Sequence, residues 1–200
     1  MTDIPQDKAA ADGDALPDAF RGMRIVPLTE RHAEELCEWR YPPPFDLFNW
    51  PAWPDMVEQA IEFGDPRLRE SQFAAVVNGR DELIGFAQFF PLRGVTRLGI
   101  GMRPDLCGMG AGAAFARLIA EEARRRAPDD EIDLEALTWN TRAIRAYEKA
   151  GFVIDDTYWR PTPTGFAEFH CMVCRPPSES PPAADREQDP APRERTARHP

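Results

Sequence analysis

The chain has 200 residues and a formal net charge of −10, a length that suits one folded domain with tails. Its acidic balance makes nucleic acid and anionic membranes poor partners, because their phosphate field repels it, while an amine substrate is tolerated. Four Cys in a chain this size suggest no disulfide framework. No apolar run approaches the roughly 18 residues of a membrane span, and the N-terminus is acidic rather than basic-then-apolar, so a cytoplasmic location is expected.

Residues 1–20 are rich in Ala and Asp and carry a charge of −4; residues 177–200 carry −1, which leaves −5 for the middle. Neither end has a core pattern, so 1–20 and 176–200 are expected to be disordered tails around a domain at 21–175. Within that domain, RGMRIVPL reads as a strand and TERHAEELCEWR as a helix, with Thr29 as N-cap and His32 where a capping box would want Glu. Five Pro keep YPPPFDLFNWPAWP irregular. PDMVEQAIEF predicts a second helix with Pro54 in its first turn. SQFAAVV and ELIGFAQFFPL are strands, with the hairpin signal Asn78-Gly79 between them. GVTRLGIGM is a strand, GAGAAFARLIAEEARRRA a helix stopped by Pro128, and EIDLEAL a strand. TRAIRAYEKA is a helix with Gly151 at C′, and FVIDDTYW with GFAEFHCMVC forms a terminal strand pair. The fold class is α/β (α+β), a mixed sheet of about six to seven strands flanked by four helices.

Two segments carry chemistry. Gly108, Gly110 and Gly112 stand between a strand and a helix, where bare backbone N–H groups and the helix N-terminus can approach a pyrophosphate without a Lys. Tight helix–strand packing is the other reading of such a turn. No GxGxxG with a distal acid and no GKS/T are present, so dinucleotide-fold and P-loop readings fall away. In LTWNTRAIRAYEKAGF, Asn140 is a natural N-cap and Tyr147 lies seven residues on. Tyr147 reads either as a core aromatic or as a proton donor near a leaving sulfur. Cys171 and Cys174 form a CxxC on a strand pattern, where residues three apart face opposite ways, so metal binding is not expected.

Together these segments resemble the two core motifs of the GNAT superfamily of acetyl-CoA-dependent N-acetyltransferases. The pattern N-x-x-A-x-x-x-Y-x-K-x-G-F is nearly complete from Asn140 to Phe152, and Q/R-x-x-G-x-G/A falls on Cys107–Gly112. The resemblance covers about residues 21–175. It implies acetyl-CoA as acyl donor and a cofactor site at Met102, Cys107, Gly108, Met109, Gly110, Ala111, Gly112, Ala113, Asn140 and Tyr147. It also implies a strand splayed from its neighbour near Ile100–Met102, with backbone groups free for the pantetheine arm. Cys107 departs from the usual Gln or Arg, which removes one side chain but no backbone donor. By the same resemblance Tyr147 is the general acid. Glu135, in the Leu-Glu-aliphatic context of enzymes that acetylate ribosomal-protein N-termini, is the base. A solvent-facing strand residue is the other reading of Glu135, and Asp133 and Glu168 are rival bases.

The aromatic, Pro-rich connection would border the acceptor: Trp39, Tyr41 and Phe45 can hold an apolar group or a cation, and Asp46 can pair with an ammonium. A rigid mini-core is the alternative. The expected activity is direct transfer of acetyl to a small-molecule amine or a peptide N-terminus. The rival readings are a non-catalytic acyl-CoA sensor or transfer of a longer acyl group. Oligomeric state is not legible, a homodimer being one arrangement left open.

Overall fold

A computed structural model describes residues 16–162 and 165–175. Seven strands form one sheet in the order β1-β2-β3-β4-β5-β7-β6: β1 (Arg24–Pro27), β2 (Phe73–Val77), β3 (Leu83–Leu92), β4 (Val95–Met102), β5 (Glu131–Leu137), β6 (Phe152–Thr162) and β7 (Gly165–Cys174). All neighbours are antiparallel except β4 and β5. That parallel pair is held only from Val95 to Leu98 and from Glu131 to Leu134, so the strands part beyond it.

Five helices cover the sheet, one more than expected. α1 (Glu30–Glu38), α2 (Trp53–Glu58) and α3 (Pro66–Gln72) lie over β1–β3, where Leu36, Met56, Phe63, Phe73 and Ala75 form one core. α4 (Gly112–Arg126) and α5 (Thr141–Lys149) cover the other face, with Phe115, Ile119, Leu134, Ile144 and Met172 in a second core. Alternation along β5 explains the division. Ile132, Leu134 and Ala136 point under α4 and α5, and Asp133 and Glu135 point the other way.

Local chemistry accounts for the element ends. Thr29 caps α1, and His32 completes the capping box in place of Glu: Thr29 Oγ1 accepts from the His32 N–H, and His32 Nδ1 accepts from the Thr29 N–H, each at 3.3 Å. α2 stops at Glu58, earlier than PDMVEQAIEF suggests. Ala60 turns left-handed (φ 48°), the Ile61 N–H reaches the Met56 carbonyl, and the Ala60 N–H reaches that of Val57, which together make a Schellman motif. The hairpin after β2 uses Asn78, whose Oδ1 accepts from the backbone of Arg80 and Glu82, but the left-handed residue is Asp81 rather than Gly79.

The folded region starts before residue 21. Asp18–Phe20 form a 3₁₀ turn, Phe20 is fully buried in the α4–α5 core, and Leu16 and Ala19 pack against the same core. Of the expected tails at 1–20 and 176–200, residues 1–15 and 176–200 lie outside the described residues. Among the described residues no helix is long and apolar enough to cross a membrane. Cys171 and Cys174 face opposite sides of β7, the first against Asp133 and the second in the α4–α5 core beside Arg124.

Candidate active site

A cavity of about 640 Å³ opens where β4 and β5 part. Its walls are the ends of those strands, the glycine-rich turn, the start of α4, one side of α5 and the segment between α1 and α2. Every expected cofactor-side residue lines it: Met102, Cys107, Gly108, Met109, Gly110, Ala111, Gly112, Ala113, Asn140 and Tyr147.

The three glycines do different work. Gly108 (φ 86°) and Gly110 (φ 88°) are left-handed, with open space where a Cβ would stand, so backbone conformation alone requires them. At Gly112 an added Cβ would lie 3.0 Å from that of Ala146, so this glycine serves the approach of α4 to α5. The packing reading thus applies at Gly112, while Gly108 and Gly110 leave the turn's backbone open to the cavity. α4 then begins at Gly112 without a side-chain cap, and its first N–H groups face the cavity end of a fifteen-residue helix. Arg142, Arg145 and Lys149 line the same cavity from α5. They were not among the expected site residues, although their spacing of three and four already places them on one helical face. A left-handed glycine cradle, an uncapped helix start and three cations form a donor set that fits the phosphates of coenzyme A.

The Cys107 side chain turns away from that anion-facing surface. Its Sγ lies 3.6 Å from the carbonyls of Met102 and Arg103, and burial pushes its thiol pKa up. It is a poor nucleophile for that reason.

Register fixes what β4 offers the cavity. Phe86 pairs with Gly101 and the Arg103 N–H bonds the Ile84 carbonyl, so the backbone groups of Ile100 and Met102 point away from β3, into the gap left by β5. The Met102 carbonyl is occupied, since the Tyr41 hydroxyl donates to it at 2.7 Å. Across the gap, Asn140 caps α5 by accepting from the Ala143 N–H at 3.3 Å, which sets the helix start two turns before Tyr147. The Tyr147 ring packs on Phe152 with 6.0 Å between centroids. Among the described residues its hydroxyl takes part in no hydrogen bond, and Tyr147 lines the cavity. Burial first, then the nearby Cys107, raises its pKa to about 12, with Arg142 opposing.

Glu135 also lines the cavity, but its carboxylate is engaged. Oε1 accepts from Arg97 Nη1 at 2.7 Å and from the Tyr158 hydroxyl, and Oε2 pairs with Arg160 Nη2 at 2.8 Å. The hydrogen bond to Glu135 adds to burial in raising the Tyr158 phenol to about 12. Of the rival bases, Asp133 is buried and held bidentately by Arg97 at 2.9 and 2.6 Å, and Glu168 does not line the cavity. His170 bonds Thr157 outside it.

The acceptor-side expectations divide. Tyr41 and Phe45 line the cavity. Trp39 does not: it is buried in the α1–α3 core, because it caps the end of α1 with its ring turned inward. Asp46 is exposed and off the cavity, on the outer side of the 3₁₀ turn Phe45–Phe48. Phe48, Trp50 and Phe86 line it instead. The segment acts as a strap across the gap, tied to β4 by Tyr41 and to the α5 side by Phe45. The Phe45 ring lies 5.4 Å from Trp139 and 4.5 Å from the Arg142 guanidinium.

The same architecture occurs in solved structures. A spermidine N-acetyltransferase SpeG chimera from Vibrio cholerae and hSSAT superposes with a TM-score of 0.61 at 14% identity, covering 76% of this chain and 93% of that one. V. cholerae spermidine N-acetyltransferase in complex with CoA and spermine superposes with a TM-score of 0.58 at 14% identity, covering 76% and 95%. At such identity the likeness is one of fold. A search of curated proteins gave no match. The sequence profile described as "Acetyltransferase (GNAT) family" matches residues 33–152, the stretch that holds the parted strands, the glycine turn and Tyr147, and the chain belongs to that family.

Proposed function

We propose that this protein is an N-acetyltransferase that moves an acetyl group from acetyl-CoA directly to a primary amine. One observation carries the reading: the free hydroxyl of Tyr147 shares a cavity with an anion cradle and with the unpaired edge of β4. The donor thioester supplies an activated acetyl group. The turn Gly108–Ala111 and the start of α4 hold phosphates through backbone N–H groups, with Arg142, Arg145 and Lys149 adding charge. The Met102 N–H, facing the gap, orients and polarises a carbonyl laid along β4. Tyr147, protonated at any physiological pH, gives its proton to a departing thiolate. Glu135 takes the ammonium proton through water, with Arg97, Arg160 and Tyr158 fixing its position. Transfer is direct because Cys107, the thiol that lines the cavity, is turned to backbone carbonyls and held neutral.

A second reading is favoured by Glu135 itself. With both its oxygens paired, the cavity has no unpaired carboxylate among the described residues, as suits a non-catalytic acyl-CoA sensor. Release of CoA thiol from acetyl-CoA against a panel of amines, peptides and aminoglycosides separates the two. Turnover abolished by Tyr147→Phe supports the enzyme. Acetyl-CoA binding without turnover across the panel supports the sensor.

A further inference from the structure

We propose that the acceptor is a small primary amine with one positive charge and an aromatic ring on a short alkyl chain, and not a polyamine. This rests on the transferase reading above.

The first argument is charge. Among the described residues that line the cavity, Glu135 is the one carboxylate, and Arg97 and Arg160 already offset it at 2.7 and 2.8 Å. Asp133, next on the same face of β5, is held bidentately by Arg97. A substrate with several ammonium groups would desolvate each of them with no cavity-lining carboxylate free to receive it. One ammonium, which must lose its proton to react, escapes that cost.

The second argument is surface. The Phe86 ring lies across β4 at Gly101, so close that a Cβ there would sit 2.0 Å from it. Glycine at 101 thus brings an aromatic face beside the edge where transfer occurs. Trp50 meets that ring edge-on at 5.9 Å and is itself braced by Phe63 at 4.9 Å. Phe48, 41% exposed, lines the same cavity and meets Tyr41 edge-on at 6.5 Å. A cavity lined by these three rings, two of them in edge-on contact with each other, is matched by another ring through edge-to-face packing and burial.

The test compares 2-phenylethylamine with spermidine, reading kcat/KM by CoA release and Kd by calorimetry with CoA present. For 2-phenylethylamine kcat/KM should be about tenfold or more higher, and Kd about tenfold or more lower, than for spermidine, the ring contacts being worth that factor. Phe48→Ala, at an exposed position, should raise KM and Kd for 2-phenylethylamine about fivefold and leave the KM for acetyl-CoA unchanged. Spermidine preferred or equal, or a Phe48→Ala variant with unaltered Kd, overturns the aromatic assignment and leaves the transferase reading intact. Acetyl-CoA binding with no amine turned over overturns the transferase reading and this inference with it.

Discussion

Tyr147→Phe removes one oxygen from the site, and the structure sets the expected size of the effect on folding and on turnover separately. Among the described residues that oxygen makes no hydrogen bond, so its loss leaves no buried partner unpaired. The ring contact with Phe152 is retained. Unfolding free energy should therefore change by less than about 0.5 kcal/mol, within the range of substitutions that touch no special feature. Acetyl-CoA affinity should hold within about threefold, because the phosphate contacts proposed above use backbone and α5 cations and not the phenol. Turnover should fall about a hundredfold, the lower end of what a positioned acid contributes. With a pKa raised to about 12, the phenol is protonated throughout the assay range. The deficit should then be constant from about pH 6 to 10, and the wild type should show no falling limb there that belongs to Tyr147. The assay is CoA release across that range, with thermal unfolding and acetyl-CoA titration on the same samples. A kcat within threefold of wild type refutes the acid role. A kcat loss accompanied by a large drop in Tm would show that Tyr147 acts through packing instead.

Other changes test the remaining parts. Glu135→Gln should flatten the rising limb of the pH–rate profile; a superimposable profile with only a lower plateau would make Glu135 a brace for Arg97 and Arg160. Gly110→Ala places a Cβ on a residue with φ 88° and open space around it, so the cost is backbone strain of about 1–2 kcal/mol, and the Kd for acetyl-CoA should rise about tenfold as the cradle reshapes. Glu122, bonded by Arg125 and Arg126, has its carboxyl pulled down to about 2. A depressed acid stabilises the fold above its unfolded pKa and loses that contribution as pH falls through the folded value. Glu122→Gln should therefore cost about 0.5–1 kcal/mol at neutral pH in denaturant titrations, a difference that shrinks below about pH 4.5 and is gone near pH 2.

Much of the fold was legible because its signals are local. Thr29, Pro54, Pro128 and Gly151 mark helix ends by their own chemistry, and alternation in EIDLEAL separates the two faces of β5. α3 was missed because PRLRESQ has no apolar stripe. What fastens it is the buried Arg69, bonded to the Phe63 carbonyl and to Glu30 and stacked over Trp53, although Asp65-Pro66 is a good N-cap and first-turn pair. That the expected cofactor-side residues would share one cavity was legible because one turn and one helix supply most of them. The company of Glu135 was not: Arg97, Tyr158 and Arg160 come from β4 and β6, and only strand order and register bring them together. Trp39 and Asp46 went astray because composition alone cannot tell which way each residue of an irregular segment turns.

The strap has one more consequence. A sheet that opens in its middle has two raw edges there, each with backbone groups ready to accept a strand from another molecule. By lying across the opening and donating the Tyr41 hydroxyl to the Met102 carbonyl, it occupies one acceptor that such an intruder would need. The protein can thus keep an inner edge available to a ligand without becoming a template for aggregation.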